Sequence, residues 1–302
     1  MLRDFPLAAR VAVHATTFLT ASGDKRDSSL QRKASPVVPR AASTVALLRD
    51  GARGPEAFLL RRAASMAFAA RMHVFPGGGL DRRDGEAEVP WAGPDLGWWA
   101  NAMVVEQDEA AGLVCAAVRE LFEESGVLLA GADAATVVAD VTDPSWESNR
   151  QALLDRGVAL SQLLRRRGLV LRSDLLRPWA HWCTPIFEPR RYDTWFFVAA
   201  LPSGQRARHV GGEADQAEWV PATMALEAAA RGEVALMPPT QVTLEEVAAH
   251  PDVASVLATP RRVGRVVPWL TRLPDDGVAI RVDLDGRGGG RPGPASGLEL
   301  PS

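Results

Sequence analysis

The chain is poor in cysteine, lysine and tyrosine, and its 302 residues contain no long apolar run. Two cysteines, Cys115 and Cys183, form neither a disulfide framework nor a zinc-type pair, and they favour a reducing, cytoplasmic setting. Without about 18 consecutive apolar residues, no membrane span is expected. The net charge of −3 gives no overall attraction to nucleic acid. Because the basic residues are almost all arginine, we interpret the scarcity of lysine as genome composition bias.

An apolar fraction of 47% supports a sizeable core. Residues 1–38 are predicted to be an N-terminal extension, disordered in part, residues 39–285 a single domain, and residues 286–302 a disordered tail. The first apolar stretch also has features of a signal peptide, interrupted by Arg10 and His14, so export remains an alternative. A genuine start near residue 35 is a further alternative.

The pattern along the chain predicts a mixed α/β domain. The runs "STVALLRDG", "AFLLRR" and "HVF" are typical of strands, and "PGGG" predicts a loop after them. Residues 81–107, with three tryptophans, predict a surface loop. A helix is expected from Asp108 to a stop at Gly126, with a strand "VLLA" after it. Two helices are expected within 143–178, then three strands up to "AEWV", and helices near 221–231 and 240–258.

The stretch "RELFEESG" places Glu120, Glu123 and Glu124 on one turn of the predicted helix. Like charges at this spacing repel by a few tenths of a kcal/mol. The opposite arc is apolar, and Arg119 precedes Glu123 by one turn, which allows an ion pair. A hard cation such as Mg²⁺ would offset the repulsion, since it binds carboxylate and phosphate oxygens. An exposed acidic turn is the alternative.

"RELFEESG" fits the R-E-x-x-E-E-x-G core of the Nudix box, and "VFPGGGL" resembles the glycine-rich opening of that box. The chain therefore resembles a Nudix hydrolase over roughly residues 40–285. The resemblance implies a Nudix-type α/β/α sandwich with a mixed β-sheet, a loop insert within the box (about 81–107) and a helical insert (about 143–178). An insertion inside the box resembles the branch that includes peroxisomal coenzyme A diphosphatases.

The box departs from the family pattern at one acidic position. Its early glutamate is replaced by Ala111, and Glu109 or Asp84 is expected nearby in its stead. The coenzyme A signature of other Nudix enzymes has an arginine and a glycine where this chain has Ala67 and Arg71.

The resemblance also implies site residues. Glu120, Glu123 and Glu124 would bind Mg²⁺, or Mn²⁺, with Glu120 or Glu124 as general base and Arg119 as an orienting residue. A carbonyl of Gly77 or Gly78 would be a further ligand or substrate contact.

A late catalytic glutamate is expected at Glu213, with Asp215 as the alternative; a solvated turn remains possible there. Arg190 and Arg191 would bind substrate phosphates, or would be surface partners of Glu188 or Asp193.

Other conspicuous side chains are expected to be structural. This applies to His73 and His181 on strands, to Trp179 and Trp182, and to the two cysteines. The arginines of "LLRRRG" (165–167) fit a solvated helix end better than a phosphate site.

The leading predicted reaction is Mg²⁺-dependent hydrolysis of the diphosphate of coenzyme A or an acyl-CoA, which gives 3',5'-ADP and a 4'-phosphopantetheine. NADH, ADP-ribose and other nucleotide sugars remain open as substrates. The competing interpretation is a Nudix-fold ligand-sensing module without turnover. The expected partner is a small-molecule nucleotide, with neither nucleic acid nor membrane, and the sequence leaves the oligomeric state open. The two inserts are predicted to lie beside the cleft and shape substrate choice.

Overall fold

The computed structural model describes residues 1–6, 37–64, 71–85, 88–210, 214–273 and 278–284. The strands in these residues are β1 (Leu2–Pro6), β2 (Arg40–Gly51), β3 (Gly54–Arg62), β4 (His73–Val74), β5 (Gly77–Gly79), β6 (Trp91–Ala92), β7 (Ala130–Gly131), β8 (Val170–Arg172), β9 (Arg177–Cys183), β10 (Tyr192–Ala200), β11 (Ala214–Pro221), β12 (Arg265–Val266), β13 (Trp269–Arg272) and β14 (Val278–Asp283). The helices are α1 (Arg82–Gly85), α2 (Leu96–Met103), α3 (Gln107–Ser125), α4 (Pro144–Leu154), α5 (Leu160–Arg167), α6 (Ala222–Ala230), α7 (Pro238–Ala248) and α8 (Val253–Leu257).

The central sheet is mixed and has the order β11-β3-β2-β10-β9-β12, with β4 paired to β3 and β5 paired to β2. Strands β2 and β10 run parallel, whereas β2 and β3 are antiparallel. Strand β2 is apolar on both faces, as expected for a strand between two layers. Val45 and Leu47 pack in the core on the α3 side, while Ala46 and Leu48 pack with α7 and α8. The predicted α/β/α sandwich with a mixed sheet is confirmed.

The two inserts form one structural unit rather than a loop and a separate helical piece. Strand β6 from the first insert pairs in parallel with β8 from the second, and β7 pairs with β8 on its other side. The expectation of a plain loop over residues 81–107 is therefore wrong, since α1, β6 and α2 lie there. We call β6, α2, α4, α5 and β8 the insert lobe.

Tryptophans fix the insert lobe to the domain core. Trp99 of α2 is fully buried and meets Phe197 of β10 edge-to-face, with ring centroids 6.1 Å apart. Trp146 of α4 meets Phe122 of α3 in the same way at 6.2 Å. Both predicted helices of the second insert are present, as α4 and α5.

A second three-stranded sheet, β1-β14-β13, joins the two ends of the described chain. Strand β1 lies inside the segment predicted to be an extension, yet Phe5 is buried in the core on the α7 side. The predicted tail 286–302 and most of the extension lie outside the described residues. Among the described helices, none has the length and apolarity needed to cross a membrane.

Candidate active site

Helix α3 carries the candidate residues and ends as its sequence predicts. Gly126 adopts the left-handed conformation at the C-cap (φ 72°), which a residue without a β-carbon adopts readily. The N-cap is Glu106 rather than the predicted Asp108. Val118, Leu121 and Phe122 are fully buried, so the apolar face predicted by helical spacing is confirmed.

The glycine-rich stretch lies directly against the carboxylate face of α3. Gly77–Gly79 form strand β5, which pairs with β2, so the prediction of a loop here is wrong. Glycine is needed at Gly77, where a β-carbon would lie 2.6 Å from the backbone oxygen of Ser43, whereas one at Gly78 would displace the carboxylate of Glu120. The amide of Gly77 donates a hydrogen bond to Glu124 Oε2 at 2.8 Å. The structure therefore brings the predicted glycines and glutamates together.

Arg119 is the centre of a buried ion-pair network, which we call the Arg119 cluster (Asp84, Arg119, Glu120 and Glu123). Its Nη1 donates to Glu120 Oε1 at 2.8 Å and to both oxygens of Glu123 at 3.3 Å. Its Nη2 also donates to the carbonyl of Gly79 at 3.0 Å. One guanidinium thus links the carboxylate turn of α3 to strand β5.

Asp84 of the short helix α1 takes the acidic position that the box lacks. Its two carboxylate oxygens accept from Nε and Nη2 of Arg119, each at 2.9 Å, and its side chain is only 1% exposed. Glu109, the other candidate, is exposed on the first turn of α3. An aspartate far away in sequence therefore partners Arg119, because α1 folds back onto α3.

Burial dominates the electrostatics of the cluster. Desolvation raises the pKa of Glu120 to about 7, against the opposing effect of Arg119. Desolvation likewise raises the pKa of Glu123. Burial opposes the charge of Arg119, but its hydrogen bonds to Asp84 and the charges of the neighbouring carboxylates raise its pKa. The site therefore contains more carboxylates than cations to balance them.

This excess of negative charge fits a divalent cation. Within the described residues, no three or more His, Cys, Asp or Glu side chains are grouped at the spacing of a metal site. The carboxylates instead have protein partners: Arg119 binds Glu120 and Glu123, and the Gly77 amide donates to Glu124. Carboxylate oxygens are nevertheless the donors that Mg²⁺ prefers, and a cation would relieve the charge that burial disfavours.

The two predicted phosphate-binding arginines lie immediately before β10. Arg191 donates to the carbonyl oxygens of Thr184 (3.1 Å) and Val37 (2.9 Å), so the chain before β2 holds its guanidinium. Arg190 is exposed. Asp193, an expected surface partner of both, instead accepts from His181 and Arg265.

The predicted late glutamate, Glu213, lies outside the described residues. Its alternative, Asp215, lies on β11 and accepts from Arg61 Nε at 2.6 Å. About a third of each of these two side chains is exposed, as in an ordinary surface pair.

The side chains predicted to be structural pack in the core or stack on neighbouring rings. Trp179 and Trp182 pack in the core on the sheet face opposite α3, and Arg261 stacks on the Trp179 ring at 4.1 Å. Both cysteines are buried and unpaired. Arg167 stacks on Trp146 at 4.1 Å within the insert lobe.

Sequence reasoning missed the residues that join the insert lobe to the end of α3. Arg150 of α4 is buried and donates to the carbonyl of Glu123. Arg208, after β10, donates its amide to Ser125 O at 3.0 Å. Neither residue belongs to a recognisable motif, because each contact joins segments distant in sequence.

A mixed sheet between helical layers, with the R-E-x-x-E-E-x-G helix packed on a glycine strand, is the architecture of the Nudix fold. The family model of the NUDT19 Nudix domain matches residues 101–247, which include Arg119 and the three glutamates. A crystal structure of a NUDIX hydrolase from Alicyclobacillus acidocaldarius superposes with a TM-score of 0.62 and is 30% identical, covering 74% of this chain and 97% of that one. The chain belongs to the Nudix hydrolase family.

The chain is also similar to curated enzymes of the branch expected from the sequence. It is 28% identical to the acyl-coenzyme A diphosphatase NUDT19 of Gallus gallus over 183 residues, which are 48% of each chain. It is 25% identical to the enzyme of the same name from Xenopus laevis over 208 residues, 57% of this chain and 54% of that one. The chain thus spans about half the length of the curated relatives it matches.

Proposed function

We propose that this protein is a Mg²⁺-dependent diphosphatase that hydrolyses coenzyme A or an acyl-CoA to 3',5'-ADP and a 4'-phosphopantetheine. The observation that carries the proposal is the carboxylate turn of α3, buried against the glycines of β5 with more negative charge than Arg119 balances. The similarity to the two acyl-coenzyme A diphosphatases supports this choice of substrate class.

In this proposal Glu120, Glu123 and Glu124 hold Mg²⁺, or Mn²⁺, which would neutralise charge on the diphosphate and activate water. Glu120 or Glu124 accepts the proton of the attacking water. Arg119 orients Glu120 and Glu123 through its hydrogen bonds to both carboxylates. Glu213 remains our predicted late catalytic residue.

The proposed substrate is a free small-molecule nucleotide. Of the predicted phosphate contacts we favour Arg190, because it is exposed, while the guanidinium of Arg191 donates to the carbonyl of Val37. The two reduced, buried cysteines agree with a cytoplasmic location, which we propose with the same function.

The test is to incubate the purified chain with coenzyme A and Mg²⁺ and to detect 3',5'-ADP by chromatography. We expect Glu124→Gln to reduce its formation by about 10²- to 10⁴-fold, the effect of removing a general base or a ligand. Glu109→Gln is the matched control, since this exposed glutamate lies on the same helix outside the cluster.

Acyl-CoA, NADH and ADP-ribose complete the substrate panel. Hydrolysis of NADH or ADP-ribose alone would reject the coenzyme A assignment and keep the diphosphatase. No hydrolysis of any substrate, with nucleotide binding unchanged in Glu124→Gln, would favour the non-catalytic ligand-sensing module instead.

A further inference from the structure

The last turn of α3, which carries Glu123 and Glu124, is held from outside by a buried arginine of the insert lobe. Arg150 of α4 is 3% exposed. Its Nη1 donates to the backbone carbonyl of Glu123 at 2.9 Å. This carbonyl is among the last four of α3, and the carbonyls at a helix end receive no hydrogen bond from a later amide of the helix. A cation at this end also complements the helix dipole.

The same guanidinium reaches the segment that follows β10. Arg150 Nη2 lies 3.5 Å from the carbonyl of Val210, and its Nε donates to both oxygens of Glu147 at 3.1 Å. Glu147 in turn accepts from Arg208 Nη2 at 2.8 Å, and the Arg208 amide is bonded to Ser125 O. The end of α3, helix α4 and the segment after β10 therefore meet here. Arg150, which belongs to α4, contacts a residue of each.

The position of this turn determines where two carboxylates lie. Glu124 reaches the Gly77 amide across the gap to β5, and Glu123 reaches Arg119. Helix ends fray when their terminal carbonyls lack partners. If the Glu123 carbonyl lost its donor, α4 would no longer hold this turn, and the two carboxylates would be less firmly positioned beside Arg119 and Gly77.

We propose that Arg150 is a positioning residue for the metal site: it holds the last turn of α3 so that Glu123 and Glu124 present their carboxylates in one arrangement. This inference rests on the proposed function, in which these glutamates hold Mg²⁺. It gives the insert lobe a part in catalysis besides substrate choice, because the support of the glutamate turn comes from α4.

The test compares Arg150→Met, Arg150→Lys and a matched control, Arg167→Met, in the full chain. Arg167 lies in the same lobe, where it stacks on Trp146 and bonds Ser145 Oγ at 2.8 Å, and both of these partners belong to α4. For each variant we would measure Mn²⁺ affinity without substrate, the half-saturating Mg²⁺ concentration, kcat and the melting temperature.

We expect Arg150→Met to weaken Mn²⁺ binding and to lower kcat by about 10- to 100-fold, the size typical of residues that support metal ligands. Arg150→Lys should recover part of this loss, since its ammonium can donate to the Glu123 carbonyl but lacks the planar fork that also contacts Glu147. Arg167→Met should lower the melting temperature while Mn²⁺ affinity stays unchanged.

Unchanged Mn²⁺ affinity in a folded Arg150→Met protein would overturn the inference, and so would an equal loss in Arg167→Met. Should Arg150→Met fail to fold, Arg150→Lys is the deciding variant. We expect an intermediate loss of Mn²⁺ affinity in that variant, and unchanged affinity there would overturn the inference.

The substrate-free titration keeps this test separate from that of the proposed function. If the native chain hydrolyses no substrate but binds Mn²⁺, the proposed function fails and the comparison of Mn²⁺ affinities still stands. A native chain that binds no Mn²⁺ would reject the metal site and this inference together.

Discussion

Two charge clusters on this domain differ in their ratio of acidic to basic side chains. In the Arg119 cluster one guanidinium faces Asp84, Glu120 and Glu123, all nearly buried. On β10, by contrast, one carboxylate, Asp193, lies between His181 and Arg265.

The carboxylate pKa values in the two clusters shift in opposite directions. Burial raises the pKa of Glu120 to about 7. Burial also opposes the ionisation of Asp193, but hydrogen bonds from His181 and Arg265 outweigh it and lower its pKa to about 2. The Asp193 carboxylate is balanced by its basic partners, whereas the Arg119 cluster keeps an excess of negative charge, and perturbed carboxylates of this kind are common at functional sites.

The largest effect is expected from Asp84→Ala, which leaves Arg119 without its two-point partner. Loss of one member of a buried ion pair costs on the order of 3 kcal/mol of unfolding free energy. Arg119 would then be free to shift towards Glu120 and Glu123, so we also expect lower activity. Urea denaturation and the coenzyme A assay measure the two effects.

Asp81→Asn is the control, because it breaks the more exposed pair with Arg83 in the same turn. If both substitutions changed stability and activity equally, Asp84 would have no special role beside Arg119.

The next effect concerns the pH dependence of the metal-free protein. Since the pKa of Glu120 rises from 4.5 to about 7 on folding, the native state binds more protons between these values. The protonation of Glu120 therefore stabilises the native state fully below pH 4.5. This stabilisation is lost as the pH rises through 7, and the unfolding free energy falls by on the order of 3 kcal/mol. Urea denaturation in chelator at several pH values should show unfolding free energy falling over this window.

Glu120→Gln should flatten that slope, because glutamine resembles the protonated acid. Glu109→Gln should retain it. Added Mg²⁺ should raise the stability of the native chain at pH 7.5 more than that of Glu120→Gln. Equal slopes in all three proteins would contradict the raised pKa.

The smallest effect is expected from Asp193→Asn. The ion pair with Arg265 is partly exposed, with 45% of the arginine side chain accessible, so about 1 kcal/mol of stability is expected to be lost. The contribution of Asp193 is present above pH 3.8 and is lost as pH falls towards 2, opposite to that of Glu120. Activity and Mg²⁺ dependence should not change; a change in either would place Asp193 in the functional site.

Local rules predicted the parts of the site that depend on neighbours in sequence. The apolar face of α3 and the stop at Gly126 follow from helical spacing and from the freedom of glycine. The same local rule failed for Gly77–Gly79, because a tertiary demand overrides the tendency of glycine to break strands: a β-carbon at Gly77 would collide with the backbone of β2.

Contacts between distant segments could not be predicted from the sequence. Spacing alone placed the glutamates on one face but did not show that β5 and α1 would cover that face. The choice of Asp84 over Glu109 depends on the fold of α1 against α3. The pairing of β6 with β8 and the contact of Arg150 with Glu123 likewise join separate parts of the chain, and neither has a sequence signature.

The sheet β1-β14-β13 has a consequence for the order in which the chain can fold. Leu2–Pro6 pair with Ala279–Asp283, so β1 is synthesised well before the strand that it pairs with. Contacts this far apart in sequence form slowly, because a long loop must close before they stabilise anything. During synthesis β1, whose Phe5 is buried in the folded protein, therefore lacks its partner strand until β14 has been made, and an unpaired strand of this kind favours aggregation.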